Sequence, residues 1–225
     1  MTMDGAAPPP WSRANPSPRY RALVELYRDM HVNGERQLGI PADATFDGRS
    51  LPRQGPRIKA LIDRFGARTL LDYGAGKGRQ YAPMPVTAPD GKQYGGIVEW
   101  WGVERVTCYD PGYRPFDALP GGTFDGVIST DMLEHCPEED MPWIVGEMFG
   151  FARKFLFANA ACYPAKKQLP TGENAHCTIK PPEWWKELFA AAGAKQPDTR
   201  WCVLVETIST GPDGKAKIVE TAIQG

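Results

Sequence analysis

Three groups of polar residues have the types and spacing for chemistry. The first is Asp72-x-Gly74-x-Gly76-x-Gly78, directly after the apolar run Thr69-Leu70-Leu71. Glycines at a strand end let the backbone approach a ligand, and a helix N-terminus beyond them accepts an anion. The position three beyond Gly76 is Arg79, so the G-x-G-x-x-G nicotinamide fingerprint is not met, and no G-x-x-x-x-G-K-[ST] triphosphate loop occurs. What stands out is the carboxylate two residues before the first glycine. It places a negative charge beside the turn and suits a ligand carrying positive charge. The second group is Asp110-Pro111, at the end of another apolar run. The third is Thr130-Asp131-Met132-Leu133-Glu134-His135, with a further imidazole, His176, in the polar stretch 172–178. An imidazole with an ordinary pKa of about 6.5 accepts a proton at neutral pH, so His135 is the first candidate base and His176 the second. Two roles are open to His135: proton transfer, or ordering the loop Glu134-His135-Cys136-Pro137. Asp131 and Glu134 can orient a histidine or bind an amine, or serve simply as carboxylates at a helix start.

These groups need a scaffold, and the apolar periodicity supplies one. Residues 1–17 hold four prolines and no periodic pattern, and are expected to be an extended or disordered tail. Ser17-Pro18 offers a cap and a first-turn proline for a helix carrying Tyr20, Leu23, Val24 and Tyr27, which Asn33-Gly34 ends. After a Pro/Gly-rich connection over 34–55, Ile58, Leu61, Ile62 and Phe65 repeat the helical stripe and Gly66 stops it. Buried strands are expected at 69–73, 105–109, 124–129 and 155–159, each apolar at nearly every position, as in parallel strands covered on both faces. Helices are expected over 138–153 and from Pro181-Pro182 to about Gly193. Strands at 201–209 and 215–223 flank Gly211-Pro212-Asp213-Gly214, a hairpin signal. Strands alternating with helices, closed by an antiparallel hairpin, make an α/β sandwich with a mostly parallel sheet.

Taken in order, the motifs resemble those of the class I S-adenosylmethionine-dependent methyltransferases. Asp72 to Gly78 is similar to the family's first motif, Asp110 to its second acidic position, Phe116-Asp117-Ala118-Leu119-Pro120 to the segment after its third strand, and 124–135 to its fourth-strand pattern. The resemblance covers about 67–160. It implies a Rossmann-like α/β/α fold and S-adenosyl-L-methionine as cofactor. It further implies that Asp72, Gly74, Ala75 and Gly76 hold the amino-acid end, Asp110 and Pro111 the ribose, Asp117 and Ala118 the adenine, with Thr130 beside the cofactor and His135, His176 and Asp131 toward the acceptor. Two departures are visible. Asp72 and Asp110 lie 38 residues apart, where about 20 is usual, so 82–102 reads as an insertion carrying Trp100 and Trp101 near its end. Only 14 residues separate Asp110 from Phe124, which shortens the second crossover. The layout expected is therefore a tail over 1–17, a helical extension over 18–66 that covers the site, and a methyltransferase domain over 67–225.

Composition narrows the partners. Lys+Arg 26 against Asp+Glu 27 leaves a net charge of -1, so no global basic field exists for a polynucleotide or an anionic membrane. Asp110-Pro111-Gly112-Tyr113 only superficially resembles the D-P-P-Y signature of DNA amino-methyltransferases, and Tyr163 with Lys167 fits Y-x-x-x-K by coincidence. No apolar run approaches the ~18 residues of a membrane span, and the N-terminus lacks a basic and apolar leader. Five cysteines without a C-x-x-C pair point to neither a disulfide framework nor a structural metal. The expectation is a cytoplasmic enzyme that methylates O or N of a small molecule or saccharide, without a metal and with its oligomeric state unassigned. The competing readings are a silent cofactor-binding regulator and a nucleotide or nucleic-acid methyltransferase whose insertion offers aromatic stacking surface.

Overall fold

The computed structural model describes residues 11–211 and 214–225. Residues 1–10 of the expected tail and the Pro212-Asp213 turn lie outside the described residues. A single six-stranded sheet has the order β4-β1-β5-β6-β7-β8, where β1 is Thr69–Tyr73, β4 Arg105–Tyr109, β5 Phe124–Thr130, β6 Ala152–Ala161, β7 Arg200–Thr210 and β8 Ala216–Gln224. All neighbours pair in parallel except β7 with β8, which pair antiparallel. This is the Rossmann-like α/β fold.

Adjacent strand residues bury on opposite faces, as a pleated strand requires. Leu71, Val127 and Leu156 join one core with α4 (Met141–Phe151) and α5 (Pro182–Gly193), through Met148, Phe149, Trp185 and Phe189. Leu70, Ile128, Phe155 and Phe157 join the other with α2 (Leu51–Phe65) and α3 (Ile97–Trp101). Continuous apolar strands are thus explained by helices on both sides. Helix α2 begins seven residues before the expected stripe, at Leu51. Pro52 sits in its first turn, where its missing N–H is tolerated, and the buried Leu51, Gln54 and Gly55 draw the earlier turns onto the core despite Pro56 inside the helix.

The insertion over 82–102 forms a two-stranded ribbon, β2 (Val86–Thr87) with β3 (Gln93–Tyr94), followed by α3. Trp101 is buried and its Nε1 donates to the Gly55 carbonyl at 3.2 Å. Trp100 is buried against Gly55, where an added Cβ would sit 2.7 Å from its ring. Both indoles therefore anchor the insertion to α2 and offer no open stacking face. Between β4 and β5 the shortened crossover contains only a 3-10 turn at Arg114–Phe116.

Helix α1 (Pro18–Asn33) crosses above the carboxyl ends of the strands. Of the stretch 1–17 expected to be a tail, the described residues 11–17 are tied to the domain. Arg13 bonds both Glu147 oxygens, donates to the hydroxyls of Tyr73 and Tyr109 at 2.8 Å each, and lies over the Trp143 ring at 4.8 Å. A guanidinium supplies five donors in a rigid plane, and such a fork can pin a proline-rich segment that has no periodic apolar pattern. Ser17 then starts the helix: its Oγ accepts from Tyr20 N at 3.0 Å, and its own N–H donates to Asp140 at 3.0 Å. Ser17→Ala is expected to cost about 1 kcal/mol of stability, measured by urea unfolding, through loss of this cap.

Candidate functional site

A cleft of about 790 Å3 opens at the carboxyl edge of the sheet, where chain order reverses between β1 and β5. Such a switch point leaves a crevice between loops running to opposite faces. Its floor is the glycine turn, the β4 end at Asp110 to Gly112, and the β5 end at Thr130 to Met132. Its roof is α1, through Tyr20, Leu23, Val24, Tyr27 and His31, together with residues 44–50.

The register sets the first two groups side by side, since Asp72 pairs with Cys108 and Tyr73 with Tyr109. Gly74 and Gly76 both have positive φ, 88° and 57°. A Cβ on Gly74 would lie 2.3 Å from the Met132 side chain, and one on Gly76 would meet the Phe46 carbonyl at 3.0 Å, so neither position has room for a side chain. Asp110 ties the turn to the neighbouring strand. Its Oδ2 accepts from Gly76 N at 2.8 Å and its Oδ1 from Gly112 N at 2.9 Å. Burial pushes its carboxyl up to about 6, against the pull of these backbone donors.

Asp72 is placed differently from its expected role. It does not line the cleft. It lies behind the turn, its Oδ2 accepting from the Tyr81 hydroxyl at 2.7 Å and from Gln80 Nε2 at 3.1 Å, while Oδ1 is buried without a hydrogen-bond partner among the described residues. Burial pushes this carboxyl, too, up to about 6. Gln80 stands in the cleft wall instead: Nε2 donates to Asp72 and to the Ala75 carbonyl, and Oε1 is buried without a partner among the described residues. Asp117 and Ala118 do not reach the cleft. Asp110 N donates to the Phe116 carbonyl at 2.9 Å, which closes the short loop back on β4, and Asp117 sits 4.0 Å from the Arg28 guanidinium. In their place, His31 lies between Phe46 and Tyr113, with ring centroids at 4.6 and 4.8 Å, and its Nε2 is 3.9 Å from Asp110.

At the other end of the cleft, Thr130, Asp131, Glu134, His135 and His176 meet. Asp131 holds a left-handed backbone at φ 49°, a strained state for a residue with a side chain, and its Oδ1 accepts from Asn159 Nδ2 at 2.6 Å. His135 Nδ1 lies 2.8 Å from the Ala175 carbonyl and 2.8 Å from the Tyr27 hydroxyl. A carbonyl only accepts, so Nδ1 carries the proton and Nε2 keeps its lone pair. His176 is fixed in the same tautomer by the Tyr163 carbonyl, 2.6 Å from its Nδ1. Burial, and next His176, push His135 down to about 3, so its imidazole is neutral and a weak proton acceptor at pH 7. Glu134 is fully buried, with Oε1 accepting from Ala161 N at 3.0 Å and Oε2 unpartnered among the described residues. Burial and then the Asp131 charge push its carboxyl up to about 8.

The glycine turn, Asp110, Pro111, Thr130, Asp131, His135 and His176 are therefore brought to one cleft, and Asp72 stands just behind it. Gln80, Tyr27, His31 and Phe46 are the residues that sequence reasoning missed. Tyr27 was visible only as part of the α1 stripe; Gln80, His31 and Phe46 lie in no motif. No family model matches the chain, and no curated protein matches it. A solved structure described as a DhpI–SAH complex is similar at 16% identity, covering 91% of this chain and 82% of that one, with a TM-score of 0.29, a likeness too distant to bear on the chemistry of the cleft. Among the described residues no helix is long and apolar enough to cross a membrane.

Proposed function

We propose that this protein is an S-adenosylmethionine-dependent methyltransferase acting on an oxygen or nitrogen of a small molecule. The observation that carries the reading is the Asp110 carboxylate clamped onto Gly76 N at the switch point, in a crevice whose glycine turn lacks a phosphate-binding pattern. A donor with a cationic amino-acid end and two vicinal hydroxyls fits that combination. A buried orphan atom fits it as well: Gln80 Oε1, in the cleft wall, lacks a hydrogen-bond donor among the described residues, and an ammonium supplies donors. S-adenosylmethionine supplies a sulfonium methyl: the acceptor's lone pair forms the new bond to carbon as the carbon–sulfur bond breaks, its electron pair staying on sulfur.

The chain's own part is mostly placement, which can account for several kcal/mol of a displacement barrier. Gly74 and Gly76 bring the backbone within reach. Each Asp110 oxygen accepts one backbone N–H and keeps lone-pair capacity for a ribose hydroxyl. Tyr20, Leu23 and Val24 of α1 close an apolar roof against water. His135, His176 and Asp131 border the acceptor space. The volume of about 790 Å3 lies within the range of about 300–1,000 Å3 common for small-molecule sites. With the net charge of -1, this favours a small acceptor over a polynucleotide.

Titration calorimetry tests the reading, with S-adenosylmethionine compared against NAD and ATP. Selective micromolar binding is expected, and none up to high micromolar concentration overturns it. Methylated product from a panel of small alcohols and amines would exclude a binding-only protein. The pH dependence has a defined sign. Asp110, at about 6 in the free protein, must be ionised to accept from both ribose hydroxyls, so binding releases a proton near that pH. Affinity is therefore expected to fall about tenfold from pH 7 to pH 5 and to level off above pH 7. A flat profile would remove the ionised Asp110 from the account.

A further inference from the structure

We propose that Glu134, His135 and His176 form a binding site for a divalent first-row transition cation of the Mn2+, Co2+ or Zn2+ class, placed to hold an oxygen of the acceptor. The cation site stands on its own geometry; only its role toward the acceptor rests on the methyl-transfer reading. The expectation from sequence is no metal, because the five cysteines form no C-x-x-C pair. The fold supplies what the spacing hid, bringing together residues 41 positions apart, His135 and His176.

One donor atom from each of the three residues lies within 4.8 Å of the others. Around a tetrahedral ion with ligand bonds of about 2.1 Å, donors stand about 3.4 Å apart, so the ion would draw the group in by roughly an ångström. Both Nδ1 atoms are committed to carbonyls, of Ala175 and Tyr163, which leaves each Nε2 lone pair for a ligand. This is the arrangement that metal-ligating histidines commonly take. The second, independent observation is Glu134. Its side chain is wholly buried, Oε1 is used by Ala161 N, and Oε2 has no partner among the described residues. Once ionised, that oxygen would be a buried negative charge without a donor, and a cation beside two imidazoles would satisfy it.

The donors are also held in place. Cys177 N and Thr178 N both donate to the Glu134 carbonyl, at 2.8 and 3.0 Å, and Thr178 Oγ1 donates to the Cys136 carbonyl at 2.6 Å. These bonds lace the loop after β5 to the loop that carries His176. Two nitrogens and one oxygen disfavour Mg2+ and Ca2+, which prefer all-oxygen shells. Three protein donors leave further coordination positions open, and all three residues line the cleft.

The test uses the full chain, stripped with chelator and titrated with CoCl2, read by its visible ligand-field bands, and with MnCl2 and ZnCl2 by calorimetry. Saturation at about one equivalent is expected. Glu134→Gln, which keeps the bond to Ala161 N, and His176→Ala should each weaken binding at least about tenfold. S-adenosylmethionine affinity, measured on the same samples as a check of folding, should stay within about threefold. No saturable binding of any of the three ions at millimolar concentration overturns the site, as does binding that both variants leave unchanged. Cation binding without S-adenosylmethionine binding supports the site and sinks the methyl-transfer role instead. If both bind, chelator should abolish product formation and added Mn2+, Co2+ or Zn2+ restore it; product unaffected by chelator overturns the acceptor role.

Discussion

Asp110→Ala is expected to weaken S-adenosylmethionine binding by about 30- to 1,000-fold, corresponding to about 2–4 kcal/mol. The carboxylate bonds Gly76 N and Gly112 N, so its loss frees the glycine turn from β4 and removes the acceptor for the ribose hydroxyls together. Each hydrogen bond to a charged acceptor contributes about 1.5–3 kcal/mol. Asp110→Asn keeps one acceptor oxygen and should fall between wild type and alanine. Calorimetry reads the affinity and urea unfolding checks the fold. Unchanged affinity in a folded Asp110→Ala protein would remove the proposed cofactor site.

His135→Ala should act on turnover instead. Its Nε2 lone pair borders the proposed acceptor space, where it would position the acceptor, and misplacing a reactant by about 1 Å can cost about 100-fold in rate. A kcat at least about 100-fold lower is expected, with the dissociation constant for S-adenosylmethionine changed less than about threefold. Tyr27→Phe serves as the companion, since it removes only the hydroxyl beside Nδ1; the Ala175 carbonyl still fixes the tautomer, and kcat should drop less than about fivefold. Parallel losses in kcat and affinity for His135→Ala would reassign the residue to cofactor binding.

The parallel sheet was legible because Leu70-Leu71, Val127-Ile128 and Phe155-Leu156-Phe157 are apolar on consecutive residues, a pattern only a strand covered on both faces can bury. Helix boundaries followed where caps were explicit, as at Ser17-Pro18 and Pro181-Pro182. The early start of α2 was hidden because Pro52, Gly55 and Pro56 carry loop chemistry, and burial of Leu51 and Gln54 overrides it. In the site, local motifs revealed residues at strand ends, Asp110 and Thr130 to His135, whose position depends on the strand they terminate. Residues brought in by long connections left no such mark. Gln80 and His31 depend on how a turn and a roof helix close, and the Arg13 anchor depends on Glu147, 134 residues away. Asp117 lies off the cleft for the converse reason: the short crossover changes where a familiar segment ends.

The roof helix has a consequence for synthesis. Its inner side chains are made long before the groups that cover them: Tyr27 waits 108 residues for His135 and 148 for Ala175. Contacts so distant in sequence form late, after shorter loops have closed. A nascent chain therefore carries an amphipathic segment with no docking place until β5 and the stretch beyond it have emerged from the ribosome. The pocket is finished by an earlier-made helix settling onto later-made loops.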